Sequence, residues 1–206
     1  MIKKMNVFNK MFKEVMFLTE KRFNLKNADK LISEERKTTL QPEKIIDYLN
    51  VTSGDTVADL GAGPGLFAIP LAKRTERNVY AVDVEPEMLK RLNAHAAEEN
   101  IENIKPVVSD LENIDLADNS VTRILNAFVI HEVGSIDQTI EEMKRILEPG
   151  GQVLLMDWEA VESESGPPLE IRIPSEKMGK MLKDHGFDIS ILYPSAEHYA
   201  IKALKE

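Results

Sequence analysis

A chain of 206 residues with 43% apolar and 30% charged residues is long enough to build one domain around a substantial core. It contains no cysteine, which excludes disulfides, thiolate metal sites and cysteine nucleophiles. Its net charge of −9 argues against a nucleic-acid backbone as the main partner, because such binding rests on clustered Lys and Arg. No apolar run approaches the roughly 20 residues needed to cross a bilayer, and no fixed-period repeat or low-complexity tract is present. A cytoplasmic protein with no bound metal is the expectation.

From Met1 to Phe23, the residues Met5, Phe8, Met11, Phe12, Val15 and Met16 recur at spacings of three and four with lysines between them, the pattern of an amphipathic helix. Lys10, Lys13 and Glu14 interrupt any signal-peptide core. The apolar face has three uses open to it: packing on the domain, covering a hydrophobic acceptor with Phe8 and Phe12, or lying on a membrane surface. The polar stretch 24–39 reads as a link, with Arg36 and Lys37 on a solvated face rather than at a site mouth. Pro42 then opens a helix to about Leu49.

Thr56-Val57-Ala58-Asp59-Leu60 reads as a buried strand, and Leu66, Ile69, Leu71 and Ala72 follow at helical spacing. Between them lie Gly61, Ala62, Gly63, Pro64 and Gly65. A glycine-rich strand-to-helix turn lets backbone approach a ligand closely and directs free N–H groups at it. The dinucleotide fingerprint G-x-G-x-x-G is broken here, since the third glycine comes one place early and Leu66 fills its slot. A second apolar strand, Val79 to Val82, ends in Asp83, 18 residues past Gly65, where a carboxylate is placed to grip two ribose hydroxyls.

Glu85-Pro86-Glu87 opens a helix to about Asn100, and Ile104 to Val108 is a third strand ending at Ser109-Asp110. Val121 to Val129 is a fourth strand, His131-Glu132 follows it, and Gln138 to Leu147 is a crossover helix stopped by Pro149-Gly150-Gly151. Val153 to Met156 is a fifth strand ending at Asp157-Trp158-Glu159. An irregular segment, 160–174, carries Gly166-Pro167-Pro168 and Arg172. A rigid gate over a pocket, with Arg172 meeting an anionic substrate group, and a plain surface connection are both open for it. Ser175 is expected to cap a helix closed by His185-Gly186, and two strands around Pro194 to His198 read as a hairpin.

Asp59 to Gly65, Val82-Asp83-Val84 with Met88, Ser109-Asp110-Leu111 and Leu147-Glu148-Pro149-Gly150-Gly151 resemble the successive motifs of class I S-adenosylmethionine (SAM)-dependent methyltransferases. More narrowly they are similar to the small enzymes grouped with the ubiquinone/menaquinone-biosynthesis C-methyltransferases. The resemblance covers about residues 40–160. It implies an α/β fold: a Rossmann-like, seven-stranded, mostly parallel sheet with a C-terminal antiparallel hairpin and helices on both faces. A cap or lid of N-terminal helices over 1–40 would precede the methyltransferase domain over 41–206.

By the same resemblance the Gly61, Ala62, Gly63 and Gly65 loop with Asp59 lies against the methionine moiety, Asp83 binds the ribose, Val84 and Met88 flank the adenine, and Asp110 with Leu111 reads its edge. Asn126 ends the strand toward which the methyl group points. Ala117 and Thr122 stand where family members often carry Pro and an acidic residue. Asn126-Ala127-Phe128-Val129 lacks the Pro-Pro-aromatic signature of amino-methylating DNA enzymes.

The expected activity is methyl transfer from SAM to a small molecule, with the O, N, C or S character of the acceptor atom open. No nucleic-acid partner is expected, and the state is a monomer or homodimer. Positioning can supply roughly 7 to 11 kcal/mol of such catalysis, and His131 with Glu132 is the candidate acid–base pair. Phe8, Phe12, Trp158, Pro167 and Arg172 are the candidates for the acceptor side. Two alternatives stand beside this reading: a nicotinamide-dependent oxidoreductase, and a SAM-binding protein without turnover.

Overall fold

A computed structural model describes residues 25–206. The amphipathic stretch 1–23, with Phe8 and Phe12, lies outside the described residues. The first described elements are a 3-10 helix, Leu25–Ile32, and helix α1, Glu34–Leu40, so the polar stretch that reads as a link is helical. The local reason is a cap: Ser33 Oγ accepts the Arg36 N–H at 3.2 Å, with Glu34 and Glu35 in the first turn where the helix dipole favours them. Helix α2, Pro42–Asp47, follows directly through Gln41 in the left-handed conformation.

Strands β1 (Val57–Leu60), β2 (Val79–Asp83) and β3 (Ile104–Val108) alternate with helices α3 (Ala68–Ala72) and α4 (Pro86–Glu98). After β4 (Val121–Ala127) come a 3-10 turn at Ile130–Glu132 and helix α5 (Ile136–Ile146). The chain ends with β5 (Leu147–Trp158), helix α6 (Ser175–Asp184), β6 (Phe187–Leu192) and β7 (His198–Lys205). The seven strands form one sheet in the order β3-β2-β1-β4-β5-β7-β6, parallel except where β7 runs antiparallel to both β5 and β6. This is the Rossmann-like sheet with a terminal hairpin that the motifs imply.

Alternation along each strand builds a core on both faces. Leu125, Leu154 and Met156 pack with Ile46 and with Leu71 and Leu92 of α3 and α4. Their neighbours Ile124, Val153 and Leu155 pack with Ile140 and Met143 of α5 and with Met178 and Leu182 of α6. Burial on both faces explains why β1 and β4 read as continuous apolar runs.

Several boundaries differ from the sequence reading. β4 stops at Ala127, because Phe128 turns into the left-handed region at φ 60°. Helix α5 stops at Ile146 without help from Pro149-Gly150-Gly151, and strand pairing resumes at Leu147 opposite Val121, the glycines lying within an irregularity of β5. Pro174, not Ser175, occupies the cap position of α6; Ser175 is buried as its first residue, with Oγ 3.2 Å from the Tyr193 hydroxyl. Thr122 donates to Asp55 Oδ1 at 2.7 Å, at the amino end of β4.

Leu125 is fully buried at the centre of the sheet. Leu125→Ala is expected to cost about 2–5 kcal/mol, read as a lowered urea midpoint at unchanged slope; a shift below about 1 kcal/mol would contradict this packing.

Candidate active site

The strand order reverses between β1 and β4, and open α/β sheets bind ligands in the crevice beyond the carboxyl ends of such a pair. From β1 the chain enters the glycine turn with Gly61, Gly63 and Gly65 at φ 79°, 51° and 100°. Gly61 is required twice over, since a Cβ there would lie 2.8 Å from Val129 on the chain leaving β4. The turn is laced to β2: Gly61 and Ala62 N–H both donate to the Val82 carbonyl, at 2.8 and 3.0 Å, and Gly63 N–H donates to Asp83 Oδ2 at 2.8 Å. Asp83 Oδ1 takes the Glu85 N–H at 2.9 Å. Asp83 thereby locks the turn in place.

Asp59 lies beneath the turn, 2% exposed, with Oδ2 lacking a hydrogen-bond partner. Its carboxyl is pushed up to about 7, first by burial and then by the negative charge of Asp83, against the opposing effect of the Ala68 N–H. An orphaned buried acceptor beside a second carboxylate, under a turn whose glycines carry no side chain, suits a ligand carrying a cation and vicinal hydroxyls.

Of the remaining cofactor-side candidates, Val84 is exposed just past β2, while Met88 and Leu111 are buried. Asp110 sits on the surface, its Oδ1 accepting the Glu112 N–H at 3.0 Å in a turn. Asn126 is fully buried at the end of β4, with Nδ2 3.5 Å from the Leu60 carbonyl and Oδ1 unpartnered.

Across the crevice, His131 is buried, and its Nδ1 lies 2.9 Å from both oxygens of Asp157 at the end of β5. Asp157 is 1% exposed and also accepts the Trp158 N–H. Glu132 is the lesser neighbour, Oε1 standing 3.8 Å from His131 Nε2. The sequence reading paired His131 with Glu132 because they are adjacent; the sheet pairs it with Asp157, which β4–β5 register brings alongside.

Trp158, Pro167 and Arg172 do come together. The turn at Gly166, φ 94°, presses on the Trp158 ring, where a Cβ would approach to 2.7 Å. Arg172 is 9% exposed, and its donors go to the carbonyls of Pro167, Val161, Ser165 and, at 3.4 Å, Glu159. It thus ties down the 159–167 loop while stacking over Trp158 at 5.1 Å. A cavity of about 540 Å³ opens beside it, lined by residues 161–169. Another of about 730 Å³ lies behind Pro64-Gly65, lined by Ile32, Ile69 and His95, and touches neither Asp83 nor His131.

Two residues the sequence reading passed over belong here. His198, read as part of a hairpin turn, starts β7 opposite Trp158, with ring centroids 4.3 Å apart. Arg36, assigned to solvent, lies over the Phe128 ring at 5.6 Å. Neither placement has a local signal, since each depends on the pairing of distant segments.

Residues 57–151 match the family described as a methyltransferase domain. The arsenite methyltransferase of Halobacterium salinarum is 28% identical over 53% of this chain and 29% of its own length. The ubiquinone/menaquinone biosynthesis C-methyltransferase UbiE of Rickettsia prowazekii is 29% identical over 58% of this chain and 50% of its own. The chain therefore spans half or less of these two curated relatives. The crystal structure of a SAM-dependent methyltransferase from Aquifex aeolicus superposes with TM-score 0.83 at 27% identity, over 90% of this chain and 100% of that one.

The Asp59 carboxyl yields a pH prediction. Its folded value near 7 exceeds the ordinary value of about 3.9. Between those pH values the folded state keeps a proton that the unfolded state has lost, so stability falls as pH rises through that window. Asp59→Asn is expected to be more stable than the parent by about 2–4 kcal/mol at pH 8, the gain shrinking to nothing near pH 4. Urea titrations at both pH values test this, and a pH-independent difference would contradict it.

Proposed function

We propose that the chain is a class I SAM-dependent methyltransferase, a reading supported by the methyltransferase-domain match over residues 57–151 and by the relatives above, and that it methylates a small-molecule acceptor in the crevice beyond β1 and β4, with His131 as general base. The nicotinamide alternative lapses with the family. The observation that carries the base assignment is the buried His131–Asp157 pair, 2.9 Å apart, at the strand ends facing the glycine turn.

SAM supplies an activated methyl group on a sulfonium centre and leaves as neutral S-adenosylhomocysteine. In this reading the backbone of Gly61 to Gly65 and the Asp59 carboxyl hold the amino-acid end. Asp83, fixed at the end of β2 by the Gly63 and Glu85 N–H groups, takes the ribose hydroxyls. Each such charge-assisted bond contributes roughly 1.5 to 3 kcal/mol. Val84, Met88, Asp110 and Leu111 line the adenine side.

Asp157 fixes the imidazole, holding the proton on Nδ1, so proton exchange with an acceptor falls to Nε2. Glu132 adds negative charge beside that nitrogen. A nucleophile that must lose a proton gains from this pair; one that is already reactive relies on positioning alone. The charge of −9 supports a small molecule over a nucleic acid.

Two measurements test the reading. Calorimetry is expected to show SAM binding without NAD binding, with Asp83→Ala weakening SAM at least tenfold, about 1.4 kcal/mol; unchanged affinity would remove the ribose role. S-adenosylhomocysteine release should be followed across quinol, phenol, amine, thiol and arsenite acceptors. On an acidic acceptor His131→Gln and Asp157→Asn are each expected to lower kcat by about 10²-fold or more at unchanged SAM affinity. Silence of the unmodified protein across that panel would favour SAM binding without turnover.

A further inference from the structure

The far side of the crevice carries a second constellation that methyl transfer as such does not require. Trp158, His198 and Phe128 form a contiguous aromatic cluster: Trp158 to His198 at 4.3 Å, His198 to Phe128 at 5.2 Å and Phe128 to Trp158 at 6.0 Å. Phe128 is only half-buried, and its backbone is held at φ 60° by the hydrogen bond from its N–H to the Met156 carbonyl. A bulky residue in the left-handed region costs on the order of 1–3 kcal/mol and persists where the surroundings impose it. Here the strain aims a ring into the crevice two residues past Asn126.

Arg36 of α1 lies over that ring at 5.6 Å. Arg74 pairs with Glu43 and Asp47, Arg123 with Asp55 and Arg145 with Glu142 and Asp118, while buried Arg172 gives its donors to backbone carbonyls. Arg36 has no carboxylate partner among the described residues, and its buried Nε makes no hydrogen bond. In a chain of net charge −9, a half-buried guanidinium with only a ring for company is a cation awaiting an anion. Burial lowers its affinity for the proton, as expected of a desolvated cation.

His198 adds an independent sign. It is 7% exposed, and its Nε2 has no partner. Its Nδ1 lies 3.1 Å from Ser195 Oγ, which already accepts the Glu197 N–H at 3.2 Å. The Ser195 proton is thereby free to go to Nδ1, which puts the imidazole proton on the orphaned Nε2 as a donor. Burial also holds His198 in its neutral form.

On the methyl-transfer reading above, we propose that the acceptor is a planar aromatic anion whose ring packs against Phe128, Trp158 and His198 while its carboxylate meets Arg36 and an oxygen takes the His198 Nε2–H. Arg36 then determines acceptor class, and α1 supplies part of the acceptor site.

The test is calorimetry of the full chain loaded with S-adenosylhomocysteine, using 3,4-dihydroxybenzoate and the matched neutral probe catechol. The acid is expected to bind at least tenfold more tightly. Arg36→Ala should erase that preference while S-adenosylhomocysteine affinity stays within twofold, and Arg36→Lys should restore part of it. Phe128→Gly, which relieves the strained backbone, should weaken both probes without lowering stability. Equal binding of the two probes, binding of neither by protein that binds S-adenosylhomocysteine, or equal losses for both on Arg36→Ala would overturn the proposal. Failure to bind S-adenosylhomocysteine would strike the methyl-transfer reading instead, and the Arg36-dependent preference between the probes would then decide the anion site alone.

Discussion

Beyond the ends of β1 and β4 the chain must make two turns in one place, and the approach of Gly61 to Val129 is what allows it. A side chain at position 61 would occupy the volume of the Val129 side chain, 2.8 Å away. Without one, the glycine turn lies flat against the segment leaving β4. The positions of the other groups follow from that contact. The turn is held from the opposite side by the Val82 carbonyl and the Asp83 carboxylate. The β4 segment, compressed against it, passes through Phe128 in the left-handed region before it delivers His131 to Asp157.

Charge is distributed unevenly along this crevice. Asp59 and Asp83 stand at the β1–β2 end, close enough that the charge of Asp83 opposes ionisation of buried Asp59. Arg36 and Arg172 stand toward the cluster of Phe128, Trp158 and His198 on the other side. The His131–Asp157 pair lies at the strand ends between them. On the proposed reading, a cationic, hydroxyl-bearing ligand would sit at the first end and a flat anion at the second, with His131 between them. Low local dielectric strengthens each preference, because neither set of charges is well solvated.

The two arginines show how the same residue type serves opposite purposes. Arg172 spends its donors on loop carbonyls and so fixes the Gly166 turn over Trp158. Arg36 has no comparable obligation and sits nearer the opening. Composition cannot separate them, since both occur in polar, irregular-looking sequence; only the partners each finds in the folded chain do so.

Local chemistry was enough for much of this protein. The three glycines, the strand ending in Asp83 and the alternating apolar runs specify a strand-to-helix turn with a carboxylate beside it, because each depends on residues within a few positions of one another. The same holds for the parallel core and the terminal hairpin. Helix α1 was equally local, announced by Ser33 and two glutamates, but its polarity disguised it as a link. Partners far apart in sequence were decided only by tertiary structure. Asp157 reaches His131 because β4 and β5 pair in one register, and His198 reaches Trp158 because β7 returns antiparallel. Arg36 reaches Phe128 because α1 folds over the strand ends. Strand pairing and helix docking set those distances through the packing of the whole sheet, and no short-range pattern encodes them.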